Sequence, residues 1–554
     1  MKTFALIAAK WSRLFSLFAI AGALAACGGK GYNGGINGTT PAPTASLSVD
    51  PTTITLGQSA KLTWSASAGT TCTASDGWTG AQQTTGSADV TPTATGNVTY
   101  TIACSGAGFT GTATQNVTLA VQAASAYLAT TLDEDFAGGA ARKQDTNLVN
   151  PWGLALLATS PMWVANNHTD TSTLYNGNGD AQTLVVHLPA SFDATGMVAN
   201  ATTDFAVSDN AAHTAPAAFI FTGESGKIAG WATTVNGAAP VTPFTAPDGA
   251  VYKGLAIANN GTGNFLYAAD FHNSKVDVLD KAYAKQTPSA TSFAFADATL
   301  PAGYSPFGIQ AVNIAGTTRI VVTYAKHDAA APDDETAGAG LGVVNVFDTN
   351  GVLVTHLVAA GGKLNAPWGV ALAPSDFGTL SNALLVGNFG DGKIHGYDSG
   401  TGRYLGELGD GASTAFAQPG LWGILFGNDA VNQPHATLFY AAGINDEANG
   451  RYGRIDLGTT PPALGTPPTV TFTAPVGNQS GTVTLTATAT APVAIANVKF
   501  YVNGPTLIGT ATAAPFTVQW DTTKVANGPA ALRAVATDAN GNVGARAATA
   551  TVAN

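Results

Sequence analysis

An all-β chain with a six-bladed β-propeller between two β-sandwiches is the fold this sequence predicts, and three observations carry it. The first is a turn-plus-strand unit that recurs through the middle: Asn150-Pro-Trp-Gly-Leu-Ala-Leu, Lys253-Gly-Leu-Ala-Ile-Ala, Ser305-Pro-Phe-Gly-Ile-Gln-Ala, Ala366-Pro-Trp-Gly-Val-Ala-Leu and Gly420-Leu-Trp-Gly-Ile-Leu-Phe. Its glycines stand at 153, 254, 308, 369 and 423, with gaps of 101, 54, 61 and 54. The first gap is double, so a degenerate copy belongs inside it, and Ala218–Trp231 offers two strands and a turn there. Periods of this length, each holding several short strands, build propellers. The second observation is composition: 65 glycines, abundant Thr, Ala and Val, and no long apolar run of period 3.6 favour strands and turns. The third is that alternating strand segments continue on both sides of the repeats.

In chain order, the first segment is an address. Lys2, Lys10 and Arg13 precede an apolar run from Leu14 to Ala26 that is short for a membrane span, and Leu24-Ala-Ala-Cys27 closes it. The tetrapeptide resembles a bacterial lipobox, which implies cleavage after residue 26 and a lipid on Cys27. An ordinary secretory signal with an incidental cysteine is the alternative. Gly28 and Gly29, in place of an aspartate, resemble outer-membrane sorting in a Gram-negative host. Residues 27–44 form a glycine-rich tether that ends in Pro-Ala-Pro.

Residues 45–122 read as a sandwich through Ser46-Leu-Ser-Val, Ala60-Lys-Leu-Thr-Trp-Ser, Val98-Thr-Tyr-Thr-Ile-Ala-Cys and Val117-Thr-Leu-Ala-Val. Of three cysteines, lipid claims Cys27, leaving Cys72 and Cys104 as the intramolecular pair in an oxidising compartment. The propeller spans 125–457. Its outer closing strand is expected from Tyr127-Leu-Ala-Thr-Thr-Leu beside Tyr452-Gly-Arg-Ile-Asp-Leu, because a propeller protects its terminal edges. A Pro/Gly/Thr linker covers 458–469, and 470–554 returns to sandwich-like strands.

Three resemblances follow from these motifs. The segment 45–122 resembles the immunoglobulin-like (Ig-like) modules of bacterial surface proteins. Val498-Lys-Phe-Tyr-Val-Asn-Gly and Ala536-Thr-Asp-Ala-Asn-Gly-Asn resemble bacterial Ig-like repeats, which are usually spacers and identify no activity. In the middle, a Pro-Gly strand, an Asp or Asn tip and a basic-aliphatic strand (Lys275-Val-Asp-Val-Leu, Lys393-Ile-His-Gly-Tyr) resemble NHL repeats. With Asn388-Phe-Gly-Asp-Gly-Lys-Ile and Gly443-Ile-Asn-Asp-Glu, the region is similar to an uncharacterised family of secreted propeller proteins. Some members of that family carry a PEP-CTERM sorting signal. This resemblance implies a fold and no established reaction.

Strand one starts, and strand two ends, on the same face of a propeller. Trp152, Trp368 and Trp422 therefore share a face with Asp270, His272, Asn388 and Asp391, a plausible place for a small molecule or glycan. The competing reading is that each Trp packs between neighbouring blades and each acidic tip ties its own turn. Repetition favours it, since a feature of most blades belongs to the blade. Deviations from the repeat are more telling. The loop after Lys326 carries Asp328, Asp333, Asp334 and Glu335, hard oxygen donors that suit Ca²⁺, and Asn150 and Asn365 are further candidate donors. The spacing is no EF-hand, and a solvated acidic loop is the simpler reading.

Charged residues are 10% of the chain and the net charge is −11, so no basic surface exists for nucleic acid. No Gly-x-Ser-x-Gly elbow or His-Glu-x-x-His occurs, and the eight histidines are scattered. The function expected is a lipid-anchored cell-envelope module that binds a protein, glycan or small molecule. The first alternative is a calcium-dependent hydrolase, because similar six-bladed propellers include lactonases and phosphotriesterases that use the channel. The second is a structural envelope protein. Replacing Cys27 by Ser should move the protein from the membrane to the soluble fraction; wild-type retention in membranes would reject the lipid anchor.

Overall fold

The computed structural model describes residues 40–209, 213–411, 414–462 and 464–554. Cys27 and its leader lie outside the described residues. Among the described residues, the regular elements are all strands apart from two single-turn 3-10 helices.

The N-terminal module is a sandwich of a three-stranded sheet (Ala45–Asp50, Ala60–Ala66, Thr85–Val90) and a five-stranded one. The strand Ala60–Ala66 buries every second residue, Ala60, Leu62 and Trp64, as one face on a core demands. Leu62 and Trp64 meet Tyr100, Ile102 and Leu119 from the opposite sheet. Cys72 and Cys104 form a disulfide with Cα atoms 4.1 Å apart. They are directly opposed on neighbouring strands of one sheet, so the bond staples two strands and does not cross the core.

Six sheets follow, and the first strand of each packs on the first strand of the next, the sixth returning to the first. These innermost strands are Pro151–Ala155, Ala194–Ala199, Tyr252–Asn259, Tyr304–Ile314, Pro367–Leu372 and Leu421–Phe426. They define blades 1 to 6. The ring closes where Tyr127–Glu134 pairs antiparallel with Asn449–Leu457, Tyr127 opposite Leu457, as the sequence predicts. The Arg451 guanidinium on the buried Glu134 carboxylate ties this seam. The expected pair at 218–231 is present as Phe219–Gly223 and Lys227–Trp231. They are the second and third strands of blade 2; its innermost strand is Ala194–Ala199.

Every innermost strand carries a register shift at the same place, between Pro151 and Leu154, Ala194 and Met197, Tyr252 and Gly254, Pro306 and Ile309, Pro367 and Gly369, and Leu421 and Ile424. Such a bulge turns the strand and re-aims one side chain. At each bulge sits a glycine whose missing Cβ makes room for the neighbouring blade. A Cβ on Gly153 would lie 2.6 Å from Thr195 O, on Gly196 2.3 Å from Leu255 N, and on Gly254 3.1 Å from Phe307 O. On Gly308, Gly369 and Gly423 it would lie 2.0, 2.5 and 2.4 Å from the carbonyl oxygens of Trp368, Trp422 and Trp152. At five of these positions, all but Gly254, a side chain would force the backbone of the next blade to move, so the ring closes this tightly there only with glycine.

The C-terminal module is a second sandwich, of three and five strands around Phe472, Phe500, Trp520 and Leu532. It docks on the loop between the first two strands of blade 6. Val543 N donates to Asn432 Oδ1 at 2.9 Å, Asn432 Nδ2 to Asn542 Oδ1 at 3.1 Å, and Arg533 Nη1 to Asn428 O at 2.5 Å. The junction after the N-terminal module is pinned where Ser125 exchanges hydrogen bonds with Thr379, in the corresponding loop of blade 5. Both loops lie at the far end of strand one, so these attachments leave the tip face uncovered.

The glycine ring is testable. Gly308→Ala should destabilise the propeller by at least about 1–3 kcal/mol, the cost of overpacking a rigid contact, since the clash is with backbone. Chemical denaturation followed by tryptophan emission reads it; a wild-type midpoint would show that the ring tolerates the methyl group.

Candidate functional site

The residue before each ring glycine is Trp152, Thr195, Lys253, Phe307, Trp368 and Trp422 in blades 1 to 6. The aromatic members meet across the ring. Trp152 stacks on Trp422 with centroids 3.4 Å apart, and Trp368 meets both edge-on at 5.9 Å. Phe307 lies 5.8 Å from Trp422, and Phe389 stacks on Trp422 from the tip of blade 5 at 4.1 Å. Neither sequence reading describes this fully: the tryptophans are packing residues, but they pack on one another over the axis and plug one end of the channel. Beneath the plug the inner strands enclose a cavity of only about 30 Å³.

Blade 3 breaks the aromatic pattern with Lys253. Its side chain is 3% exposed, its Nζ lies 2.5 Å from Glu224 Oε1 and 3.9 Å from Asp334 Oδ1, and it sits 5.4 Å from the Trp152 ring centroid. Burial alone would depress this ammonium; Glu224, Glu335 and Asp334 outweigh it and hold its pKa raised. Lys253 thus stays charged over the aromatic plug. Around it lies a pocket of about 230 Å³ lined by Trp152, Asn167, Glu224, Asp334, Glu335 and Glu447, with His168 and Phe389 at its sides.

The carboxyls of this pocket are held by polar neighbours and by repulsion. Asn167 Nδ2 donates to Glu224 Oε2 at 3.2 Å. Asn150 is fully buried; it accepts from Trp422 Nε1 at 3.2 Å and donates to Glu447 Oε2 at 3.3 Å. Asn150 stands in left-handed backbone, φ 47°, a region that asparagine tolerates better than most residues. Burial, then the charges of Glu335 and Glu224, push Glu447 up to about 7, against the pull of Lys253 and Asn150. Burial raises Glu335 as well. Glu447, able to hold or release a proton near neutrality, and Glu335, raised by burial, thus face one fixed ammonium.

The sequence candidates divide. Trp152, Asn150, Asp334 and Glu335 are at this pocket. Trp422 is its buried support, and Trp368 donates its indole N–H to Lys253 O at 2.8 Å. Asp270 and Asp391 tie their own turns, accepting from Asn273 and from Lys393 N and Asn388 Nδ2. Asn388 also donates to Lys363 O at 3.0 Å. His272 is exposed and pairs with Asp333 at 2.6 Å, which raises its pKa. Asn365 accepts from Gly338 N at 2.6 Å, anchoring the acidic loop, and Asp328 caps Ala330 N. The six calcium candidates therefore do not gather at one point: Asn150, Asp334 and Glu335 reach the pocket, while Asn365, Asp328 and Asp333 serve the loop.

Among the described residues, one trio of acidic side chains brings its oxygens within 4.8 Å of one another: Asp248, Asp270 and Asp277. Lys275 and Lys285 fill that cluster, at 2.5 and 3.1 Å from Asp248, and Lys285 is 2.7 Å from Asp277. It is an ion-pair network on the side of blade 3.

Glu224, Lys253 and Asn167 were not candidates in the sequence. A signal existed for one of them: Lys253 stands where four other units carry Trp or Phe. Glu224 lies in the degenerate second repeat, whose ring glycine Gly196 lacks an aromatic partner and so left the copy without an anchor.

Residues 468–534 match the bacterial Ig domain family. An uncharacterized protein of Acanthamoeba polyphaga mimivirus is 31% identical over 329 residues, covering 56% of this chain and 76% of the viral protein. The chain belongs to the same family as that protein. A second uncharacterized mimivirus protein is 29% identical over 332 residues, covering 56% of this chain and 81% of its own. Among solved structures, a Bacteroides thetaiotaomicron protein of unknown function covers 74% of this chain and 98% of its own at 11% identity, with a TM-score of 0.39. The calcium-binding protein regucalcin of Agrobacterium tumefaciens covers 56% and 92% at 12% identity, with a TM-score of 0.34.

The raised Glu447 predicts a pH-dependent stability. Its folded pKa of about 7 exceeds the ordinary 4.5, so its contribution is complete below pH 4.5 and is lost as pH rises through 7. Glu447→Gln should therefore be more stable than wild type at pH 8, by at most about 3 kcal/mol, and the gap should shrink at pH 5. Calorimetric scans at both pH values check this; equal gaps would place Glu447 in ordinary solvent.

Proposed function

We propose that this chain is an exported, lipid-anchored cell-envelope protein whose propeller binds a small ligand on its tip face. One observation carries the reading: a buried lysine, placed where the repeat otherwise supplies an aromatic ring, gathers carboxylates into a pocket over a rigid aromatic floor. The pocket is concave, its polar groups converge, and its floor is preformed, which is the usual make-up of a small-molecule site. The docking of the C-terminal module on the opposite face supports it, since a spacer placed there leaves the pocket open to the medium. The acidic balance argues against nucleic acid as partner.

A second reading, a calcium-dependent lactonase- or phosphotriesterase-like hydrolase, draws on Glu447. A carboxyl poised near neutrality beside further oxygen donors is suited to acid–base work. Lys253 weighs against it, because the ammonium already neutralises Glu224 in the space that a cation would share.

The two readings part on metal. In the full exported chain, EDTA and CaCl₂ should leave the melting temperature unchanged, while small molecules that enter the pocket should alter tryptophan emission from the Trp152–Trp422 stack, an effect lost in Glu224→Gln. A calcium-dependent rise in melting temperature, with lactone or phosphotriester hydrolysis abolished by Glu447→Gln, would establish the hydrolase. No response of the emission to any small molecule would reject the pocket as a binding site.

A further inference from the structure

Hydrogen-bonding capacity in the tip-face pocket is unbalanced, and the imbalance specifies an occupant. Glu224 is satisfied, one oxygen by Lys253 at 2.5 Å and the other by Asn167 at 3.2 Å. Among the described residues, Glu447 receives only the 3.3 Å contact from Asn150. Among the described residues no other side chain donates a hydrogen bond to the Glu335 carboxylate, which has only its own backbone N–H, and Asp334 stands 3.9 Å from Lys253, beyond hydrogen-bonding distance. Four carboxyls therefore share one ammonium. On the donor side, Lys253 spends one of its N–H groups on Glu224. Trp152, 2% exposed and part of the same lining, has an indole N–H with no partner. Surplus acceptors at Glu335 and Glu447 thus lie beside surplus donors at Lys253 and Trp152. The Trp152 N–H is buried without a partner, which is costly, and the Glu335 and Glu447 carboxyls are crowded acceptors, so a molecule that supplies both complements gains from both.

We propose that the pocket takes a small hydroxylated amine, its ammonium set between Glu335 and Glu447 and its hydroxyl oxygens turned towards Lys253. This rests on the pocket being a ligand site and adds the class of ligand. An anion would meet four carboxyls. A neutral polyol would satisfy Lys253 but bring no charge to Glu335 and Glu447. The cavity of about 230 Å³ sets the scale at one molecule of single-sugar size.

Three probes that share a polyol stem isolate the charge: 1-amino-1-deoxysorbitol, sorbitol and gluconate end in an ammonium, a hydroxyl and a carboxylate. Titration calorimetry on the full chain should show the amine binding about tenfold or more tighter than sorbitol, and gluconate not at all. The groups facing the ammonium are Glu447, Glu335, Glu224, Asp334, Lys253 and His168. Since Glu447 ionises near 7, amine affinity should rise about tenfold between pH 6 and pH 8. Glu447→Gln should remove that rise, and Glu335→Gln should weaken the amine at both pH values, with melting temperatures confirming that each variant is folded. Binding of sorbitol or gluconate equal to the amine overturns the ligand class and leaves the pocket as a binding site. Unchanged amine affinity in both variants overturns the location, and no binding by the amine overturns the proposal.

Discussion

The contact between one innermost strand and the next governs this molecule. At six places a glycine faces the backbone of the following blade so closely that a Cβ would fall 2.0 to 3.1 Å from it. Close-packed backbone leaves no soft atoms to yield, so the spacing around the ring is rigid. The bulge at each glycine has a second effect. It turns the preceding side chain out of the sheet, and five of the six such side chains, four aromatic rings and a lysine, converge at one end of the axis.

What fills that end follows from their identities. Four aromatic rings stack and meet edge-on, contacts that add specificity to the area they bury. One threonine, Thr195, turns its hydroxyl to the Tyr252 carbonyl at 2.6 Å and stays within the blade contacts. One lysine remains. A lone ammonium over such a plug would be expensive to bury, so the carboxylate of Glu224, with Asp334 and Glu335 nearby, is a condition of its presence. Burial first, and then the crowding of the carboxyls, raises the Glu447 pKa. The charged pocket is thus a consequence of one departure from the repeat in a ring that cannot relax around it.

The flanking modules fit this division of labour. The C-terminal sandwich binds the loop of Asn428, Asp429 and Asn432 through Arg533, Asn542 and Val543, so it is held by several directed bonds and not by its linker alone. The face it occupies carries the ends of the first strands; the face it leaves open carries the pocket.

The sequence by itself determined the strands, the sandwiches, the pair Cys72 and Cys104, and the closing strand beside Tyr452–Leu457. Each is written in local alternation, a repeat period or a count, and none needs coordinates. Only the tertiary structure decided where the second blade begins, because Gly196 is recognised by its contact with Leu255 and not by its neighbours in sequence. It also decided which polar tips matter. Asp270, Asn388 and Asp391 look like Glu447 in sequence, yet Asp270 and Asp391 are engaged by their own turns and Asn388 donates to Asp391 and Lys363. Glu224, Lys253, Glu335 and Glu447 come from four different blades or blade loops, and their meeting depends on the curvature of the ring. Local pattern specifies a blade, whereas a site on the axis is a sum over blades, and no window of sequence contains it.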